Sequence, residues 1–251
     1  MKLSIIMQSY LGDYPGARSQ PERKFIRAVD SLKNQTDSDW ELIIVSDGCT
    51  ITEEIYNKEF KDDDRIKFKM VEKPKSTMMY EGEATYYRGK PRAEGVKMAT
   101  GDWISYLDAD DIYVKTGVEQ IKNAIKKHKD KRYIFNLLIV ENLFHLAVIK
   151  RMHELYPNRK ENHQIMSKAY KIEGLDSYWF DTGINAIPTG TAFLIHKNGW
   201  PEHEWGDVTG ERSEDIIFAE NILTDEEQMK YVGVTTLSYY VRCHYRDRWD
   251  Y

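Results

Sequence analysis

Three carboxylates crowd into four positions at Asp108, Asp110 and Asp111, directly after the short apolar run Trp103-Ile104-Ser105-Tyr106-Leu107. Like charges this close raise one another's pKa unless a cation or good donors neutralise them. One resolution is a bound divalent metal, Mg²⁺ or Mn²⁺, which takes oxygen ligands. The other is an acidic turn leading into a helix N-terminus, where Asp is favoured in any case. Asp108 and Asp110 are two residues apart, so in extended backbone they face the same side and can reach one cation. Asp111 is then the residue expected to cap the following helix.

The elements that would position these side chains can be read from apolar periodicity. Leu3-Ser4-Ile5-Ile6-Met7 and Glu41-Leu42-Ile43-Ile44-Val45 are nearly continuous apolar runs, the mark of strands buried on both faces. Pro21 opens a helix with Phe25, Val29 and Leu32 on one face. A helix over 51–60 and a strand over 66–71 follow, with Asp62, Asp63 and Asp64 as a solvated turn between them. A helix over 90–99, with Pro91 near its start and Gly101 past its end, precedes the strand carrying the acidic cluster. Strands alternating with helices imply an α/β fold, a mostly parallel central sheet flanked by helices. Such sheets bind ligands beyond the carboxyl ends of their strands, and Ser9, Asp47 and Asp108 all fall there.

The second half is less regular. Val118, Ile121 and Ile125 mark a helix that ends in the basic run 126–132, strands are expected over 133–140 and 235–241, and 187–195 reads as a turn entering a strand. Residues 211–223 read as a helix with Glu214 and Asp215 near its start.

A chain of 251 residues can bury a full core, and no shift in composition marks a linker, so one domain over 1–251 is expected. The net charge of −5 argues against a general polyanion binder. Two cysteines, Cys49 and Cys243, give neither a disulfide framework nor a CxxC zinc site, and reduced cytoplasmic conditions are the default expectation. The N-terminus lacks the apolar length of a signal peptide, and the most apolar region, 133–149, is interrupted by Asn136, Glu141, Asn142 and His145, so no membrane span is expected.

Several separated stretches together resemble the family 2 glycosyltransferases of the GT-A fold. The family's strand, Pro-Thr-Tyr-Asn and helix ending Ser-x-x-x-Gln-Thr is similar to residues 3–36, with Ser9 and Tyr10 at the Thr-Tyr positions and Ser31, Gln35 and Thr36 at the helix end. Residues 40–48 resemble Glu-Leu-Ile-Ile-Val-Asp-Asp-Gly-Ser, with Ser46 and Cys49 as departures. Pro91-Arg92-Ala93-Glu94-Gly95, running on to Asp111, is similar to Ala-Arg-Asn-x-Gly followed by the strand and its Asp-x-Asp-Asp end. Thr189-Gly190-Thr191, Gly199-Trp200 and Glu214-Asp215 match the acceptor-half pattern more loosely.

The resemblance implies a nucleotide-sugar-binding half over 1–111 and an acceptor half with a C-terminal segment over 112–251. It implies a metal-dependent, inverting transfer of sugar from a nucleotide-diphosphate sugar, a UDP-sugar, to a hydroxyl of a glycan or lipid-linked glycan. Donor-binding residues would be Ser9, Tyr10, Asp47, Arg92 and Asp108, with Asp47 accepting from the base N–H. Metal ligands would be Asp110, Asp108 and His244, holding Mn²⁺ or Mg²⁺. The catalytic base would be Asp215, with Glu214 as the alternative. Trp179, Trp200 and Trp205 are candidate sugar-stacking platforms, of which one is expected to serve. A catalytically silent nucleotide-sugar-binding protein keeps the same fold, and a nucleotidyltransferase has a related sheet but a Gly-rich phosphate loop that residues 8–16 lack. A membrane-linked acceptor would be met peripherally, and the net charge disfavours a nucleic-acid acceptor.

Overall fold

The computed structural model describes residues 1–12, 20–72, 79–80, 83–84, 89–113, 115–127, 129, 132–141, 168–171, 177–181, 194–199, 205 and 233–240. Its first half follows the expected alternation: β1 (Leu3–Ser9), α1 (Pro21–Lys33), β2 (Trp40–Asp47), α2 (Thr50–Ile55) continued by a π-helical turn at Tyr56–Phe60, and β3 (Ile66–Val71). A two-stranded hairpin, β4 (Met79–Tyr80) with β5 (Glu83–Ala84), precedes α3 (Gly89–Met98), β6 (Trp103–Tyr106), β7 (Ile112–Tyr113) and α4 (Gly117–Lys127). The later described strands are β8 (Tyr133–Glu141), β9 (Lys168–Lys171), β10 (Ser177–Asp181), β11 (Leu194–Lys197) and β12 (Gly233–Tyr240).

One sheet runs β3-β2-β1-β6-β11-β8-β10-β9, with β12 beside β8 and β7 beside β12. From β3 to β6 every pairing is parallel, in the register Leu3↔Trp40 and Leu3↔Trp103. Antiparallel pairing begins where β11 meets β6, and β12 returns to parallel against β8. The short β4, β5, β7, β9 and β10 carry little periodicity and were not expected from the sequence.

The continuous apolar runs are explained by what covers each face. Leu3, Ile5, Met7, Leu42 and Ile44 share one core with Phe25, Ala28, Val29 and Leu32 of α1. Ile43, Val45 and Val71 form a second, smaller cluster with Met98 and Ala99 at the end of α3. Gly95 lets α3 approach this face, because a Cβ there would lie 2.5 Å from Ile6 Cγ2. Strand alternation therefore sends successive residues of β1 and β2 into different layers, both apolar.

Two polar devices fix the frame. Along one side of α1, Arg27 Nη2 donates to Asp110 O at 3.0 Å and Ser31 Oγ accepts from Tyr113 N at 3.1 Å. Just past the helix end, Gln35 Oε1 accepts from Val118 N at 3.0 Å. Spaced by four residues, these side chains recur on one helical face, and they grip the backbone that leaves β6. This gives the Ser-x-x-x-Gln-Thr signature a physical reason.

At the opposite edge of the sheet the fully buried Glu41 accepts from Ser4 Oγ (2.6 Å), Thr100 N (2.6 Å) and Gly101 N (3.2 Å) through Oε1. Its Oε2 meets Lys67 Nζ at 2.7 Å and Lys2 Nζ at 3.1 Å. Burial alone would push this carboxyl up; the bonds from Lys67, Ser4 and Thr100 outweigh it and hold the group far below the carboxylate range. The Asp62–Asp64 turn is as expected except at Asp63, whose carboxylate takes the Arg65 guanidinium in a fork at 2.9 and 2.7 Å.

Candidate functional site

Because β1, β2 and β6 are parallel, their carboxyl ends share one edge, and the structure brings Ser9, Asp47 and Asp108 to it. Ser9 closes β1 and is buried, its Oγ 3.1 Å from Thr52 Oγ1 on α2. The next residue, Tyr10, lies over Gly12, where a Cβ would come within 2.8 Å of the phenolic oxygen. Asp47 closes β2, buried at 2 % exposure, and is followed by Gly48 in the left-handed region at φ 64°.

Two of the departures from the family pattern, Ser46 and Cys49, prove to be partners across this turn. Ser46 Oγ donates to Cys49 O at 2.9 Å and accepts from Cys49 N at 3.0 Å. Cys49 Sγ in turn accepts from Leu11 N at 3.4 Å, tying the exit of β2 to the exit of β1.

Beyond β6, Leu107 N still donates to Ile6 O at 3.0 Å, so Asp108 leaves the sheet at its edge. Asp108 Oδ1 lies 3.5 Å from Arg92 Nη2, and the Arg92 side chain is only 6 % exposed against 31 % for Asp108. The guanidinium also sits over the Trp205 ring, 5.1 Å from its centroid, a distance at which a cation and a ring face attract. Trp205 Nε1 donates to Tyr106 Oη at 3.1 Å, and Tyr106 Oη is 2.9 Å from His196 Nε2. His196 Nδ1 lies 2.9 Å from Lys197 O; a carbonyl can only accept, so Nδ1 carries the proton and Nε2 accepts from Tyr106. Burial pushes the Tyr106 hydroxyl well above its ordinary value, against the opposing bond from Trp205 and the nearby Arg92 charge.

This wall of Trp205, Tyr106 and His196 was not legible in the sequence. Each residue is an ordinary aromatic or histidine in its own stretch; the antiparallel β11–β6 pairing, with His196 opposite Ile104, brings His196 to Tyr106, and the Trp205 indole joins them through Tyr106 Oη. Trp205 is correspondingly not an exposed sugar platform: it is 5 % exposed, with one face toward Arg92. Trp179 lies on β10, and Trp200 lies outside the described residues.

Asp110 is half-buried, and its carbonyl receives Arg27. Asp111 does not cap a helix. It is fully buried, its N–H donates to Asp108 O at 3.0 Å in the turn, and the next helix starts only at Gly117, with β7 between. Glu214, Asp215 and His244 lie outside the described residues.

Among the described residues no group of three or more His, Cys, Asp or Glu side chains forms a metal cage. The donor set at Asp108 and Asp110 nevertheless fits a hard divalent cation of the kind that takes one or two carboxylates and draws its remaining ligands from phosphate and water. Among the described residues no helix is long and apolar enough to cross a membrane.

Glycosyl transferase family 2 matches residues 22–172, and the chain belongs to that family, which places it by descent among the glycosyltransferases. An uncharacterized glycosyltransferase of Methanocaldococcus jannaschii is 27 % identical over 134 residues, 53 % of this chain and 40 % of that protein. The poly(ribitol-phosphate) beta-N-acetylglucosaminyltransferase TarP of Staphylococcus aureus is 28 % identical over 129 residues, 51 % of this chain and 34 % of that protein. The crystal structure of S. aureus TarS 1-349 superposes with a TM-score of 0.55 at 16 % identity, covering 97 % of this chain and 59 % of that one. The same fragment in complex with UDP-GlcNAc gives 0.55 at 15 %, covering 97 % and 57 %. The expected GT-A α/β fold is therefore correct. The chain spans 40 % or less of the length of these two curated relatives.

Proposed function

We propose that this chain transfers a sugar from a UDP-sugar to a hydroxyl of a glycan or lipid-linked glycan, dependent on Mn²⁺ or Mg²⁺ and with inversion at the anomeric carbon. The observation that carries the reading is the Arg92–Asp108 pair at the carboxyl edge of the parallel strands, the edge at which the buried Asp47 also closes β2. Nucleotide ligands of open α/β sheets lie at that edge. The UDP and UDP-GlcNAc complexes of the TarS fold neighbour support a uridine donor and put UDP-GlcNAc first among donors to try.

Asp108 and Asp110 would hold the metal, which supplies Lewis-acid neutralisation of the departing diphosphate. Arg92 contributes a permanent charge beside the same phosphates, held in the dry wall of Trp205 and Tyr106, where electrostatic stabilisation is stronger than in water. Asp47 accepts from the base N–H, and Tyr10 offers a ring face and hydroxyl to the nucleoside. Asp215, with Glu214 as the alternative, takes the proton of the acceptor hydroxyl; His244 is a further metal ligand. Direct attack of the acceptor oxygen on the anomeric carbon breaks its bond to the phosphate oxygen of UDP, which leaves as the diphosphate, while the new glycosidic bond forms, and this inverts the configuration. The protein works in the cytoplasm and meets a membrane-linked acceptor peripherally.

The test is UDP release from a panel of UDP-sugars with Mn²⁺ and a mixed acceptor pool. Asp110→Ala should lose on the order of 100-fold or more in rate while keeping the wild-type circular dichroism spectrum. Tight UDP binding with no hydrolysis or transfer by wild type would make the chain a binding protein instead.

A further inference from the structure

We infer that Arg27, on helix α1, is a positioning residue for the metal–diphosphate corner; the inference rests on the function proposed above. Arg27 is the first of the three gripping side chains described for α1, with Ser31 and Gln35 as the others. The two later contacts hold Tyr113 N and Val118 N, backbone atoms of β7 and of the start of α4. Of the three α1 grips, it is Arg27 that reaches the acidic turn, its Nη2 donating to Asp110 O at 3.0 Å across a sequence separation of 83 residues.

That carbonyl belongs to the residue whose carboxylate is expected to bind metal. Fixing it limits rotation of the Asp110 peptide and so sets where the side chain can point. The contact is charge-assisted and half-buried, the stronger kind of hydrogen bond. It also places a permanent cation beside a turn that carries Asp108, Asp110 and Asp111 in four positions, which lowers their mutual repulsion before any metal arrives. α1 itself is anchored by Phe25, Ala28, Val29 and Leu32, all fully buried. The guanidinium therefore projects from a rigid element, the condition for holding a metal ligand in place. Nothing in the sequence around position 27 announces this: an arginine on a helix is ordinary, and only the fold lays it against the turn.

The test is calorimetric and needs no turnover. UDP affinity is measured with and without Mn²⁺ for wild type, Arg27→Ala, Arg27→Lys and Ser31→Ala. Arg27→Ala should weaken Mn²⁺-dependent UDP binding on the order of tenfold, the loss of one charge-assisted hydrogen bond, and leave metal-free UDP affinity within about twofold. Arg27→Lys should recover part of the metal effect. Ser31→Ala, which removes the next grip on the same face, should lower thermal stability and leave the metal effect intact.

A wild-type metal effect that Arg27→Ala keeps in full would overturn this inference and leave the function standing, as would an equal loss in Ser31→Ala. If wild-type UDP affinity does not respond to Mn²⁺, the metal-dependent reading falls first and the inference falls with it. Should Arg27→Ala prove unfolded, Arg27→Lys decides the matter by the same ratio.

Discussion

Replacing Glu41 by Gln isolates what the buried carboxylate does for the fold. The substitution keeps shape and changes only charge and one end of the hydrogen-bonding set. Every partner of Glu41 is a donor: Ser4 Oγ, Thr100 N, Thr100 Oγ1, Gly101 N, Lys67 Nζ and Lys2 Nζ. A glutamine amide can offer its oxygen to the Ser4–Thr100–Gly101 side, but its NH₂ then faces two ammonium groups. Leaving a buried donor without an acceptor costs about 1–3 kcal/mol. The Lys2 and Lys67 side chains are 39 % and 36 % exposed, so each lost pair is discounted to about 0.2–1 kcal/mol.

The sum is about 1.4–5 kcal/mol, a large share of the roughly 5–15 kcal/mol that holds a domain folded. At about 2–4 °C per kcal/mol for a chain of this size, the melting temperature should fall by about 3–20 °C.

The pH dependence carries the sharper signature. The folded carboxyl is held below its ordinary value of 4.5, so the stabilisation is complete above that value. It is lost as pH falls below it, because the unfolded chain then takes up a proton that the native one refuses. Urea denaturation of both proteins at pH 7, 5 and 3.5 should therefore show a gap between wild type and Glu41→Gln that narrows on acidification. A gap that stays constant from pH 7 to 3.5 would refute the reasoning. UDP affinity at pH 7 should match wild type, because Glu41 lies at the sheet edge opposite the site.

Two other substitutions test neighbouring parts of the argument. Gly101→Ala would put a Cβ 2.6 Å from Lys2 O and 2.7 Å from Ser4 Oγ, so a loss of about 1–3 kcal/mol is expected in urea denaturation. Arg92→Ala should raise the donor KM about tenfold or more, and Arg92→Lys should recover little of it, because an ammonium lacks the planar fork that sits over Trp205; full rescue by lysine would show that only the charge matters.

The sequence by itself determined the first half of this protein. Continuous apolar runs at Leu3, Leu42 and Trp103, separated by a helix with Phe25, Val29 and Leu32 on one face, leave a parallel sheet as the economical way to bury both strand faces. Strand ends then place Ser9, Asp47 and Asp108 on one edge, because parallel strands point the same way. The acid at the start of β2 was visible too, as a lone Glu heading an apolar strand, but its six donors come from Lys2 ahead of β1, from β1 itself, from β3 and from the α3–β6 connection, which no local pattern reveals.

Tertiary structure decided the rest. It took Asp111 from a helix cap into the buried turn, set Arg27 on the carbonyl of Asp110, and joined Arg92, Trp205, Tyr106 and His196 into one wall. Periodicity reports which face of an element meets apolar neighbours, whereas the contacts of Arg27 with Asp110, and of Tyr106 with His196 and Trp205, are single polar atoms meeting across separations of 83 to 99 residues. Their meeting depends on how strands pair, and pairing is a property of the whole sheet.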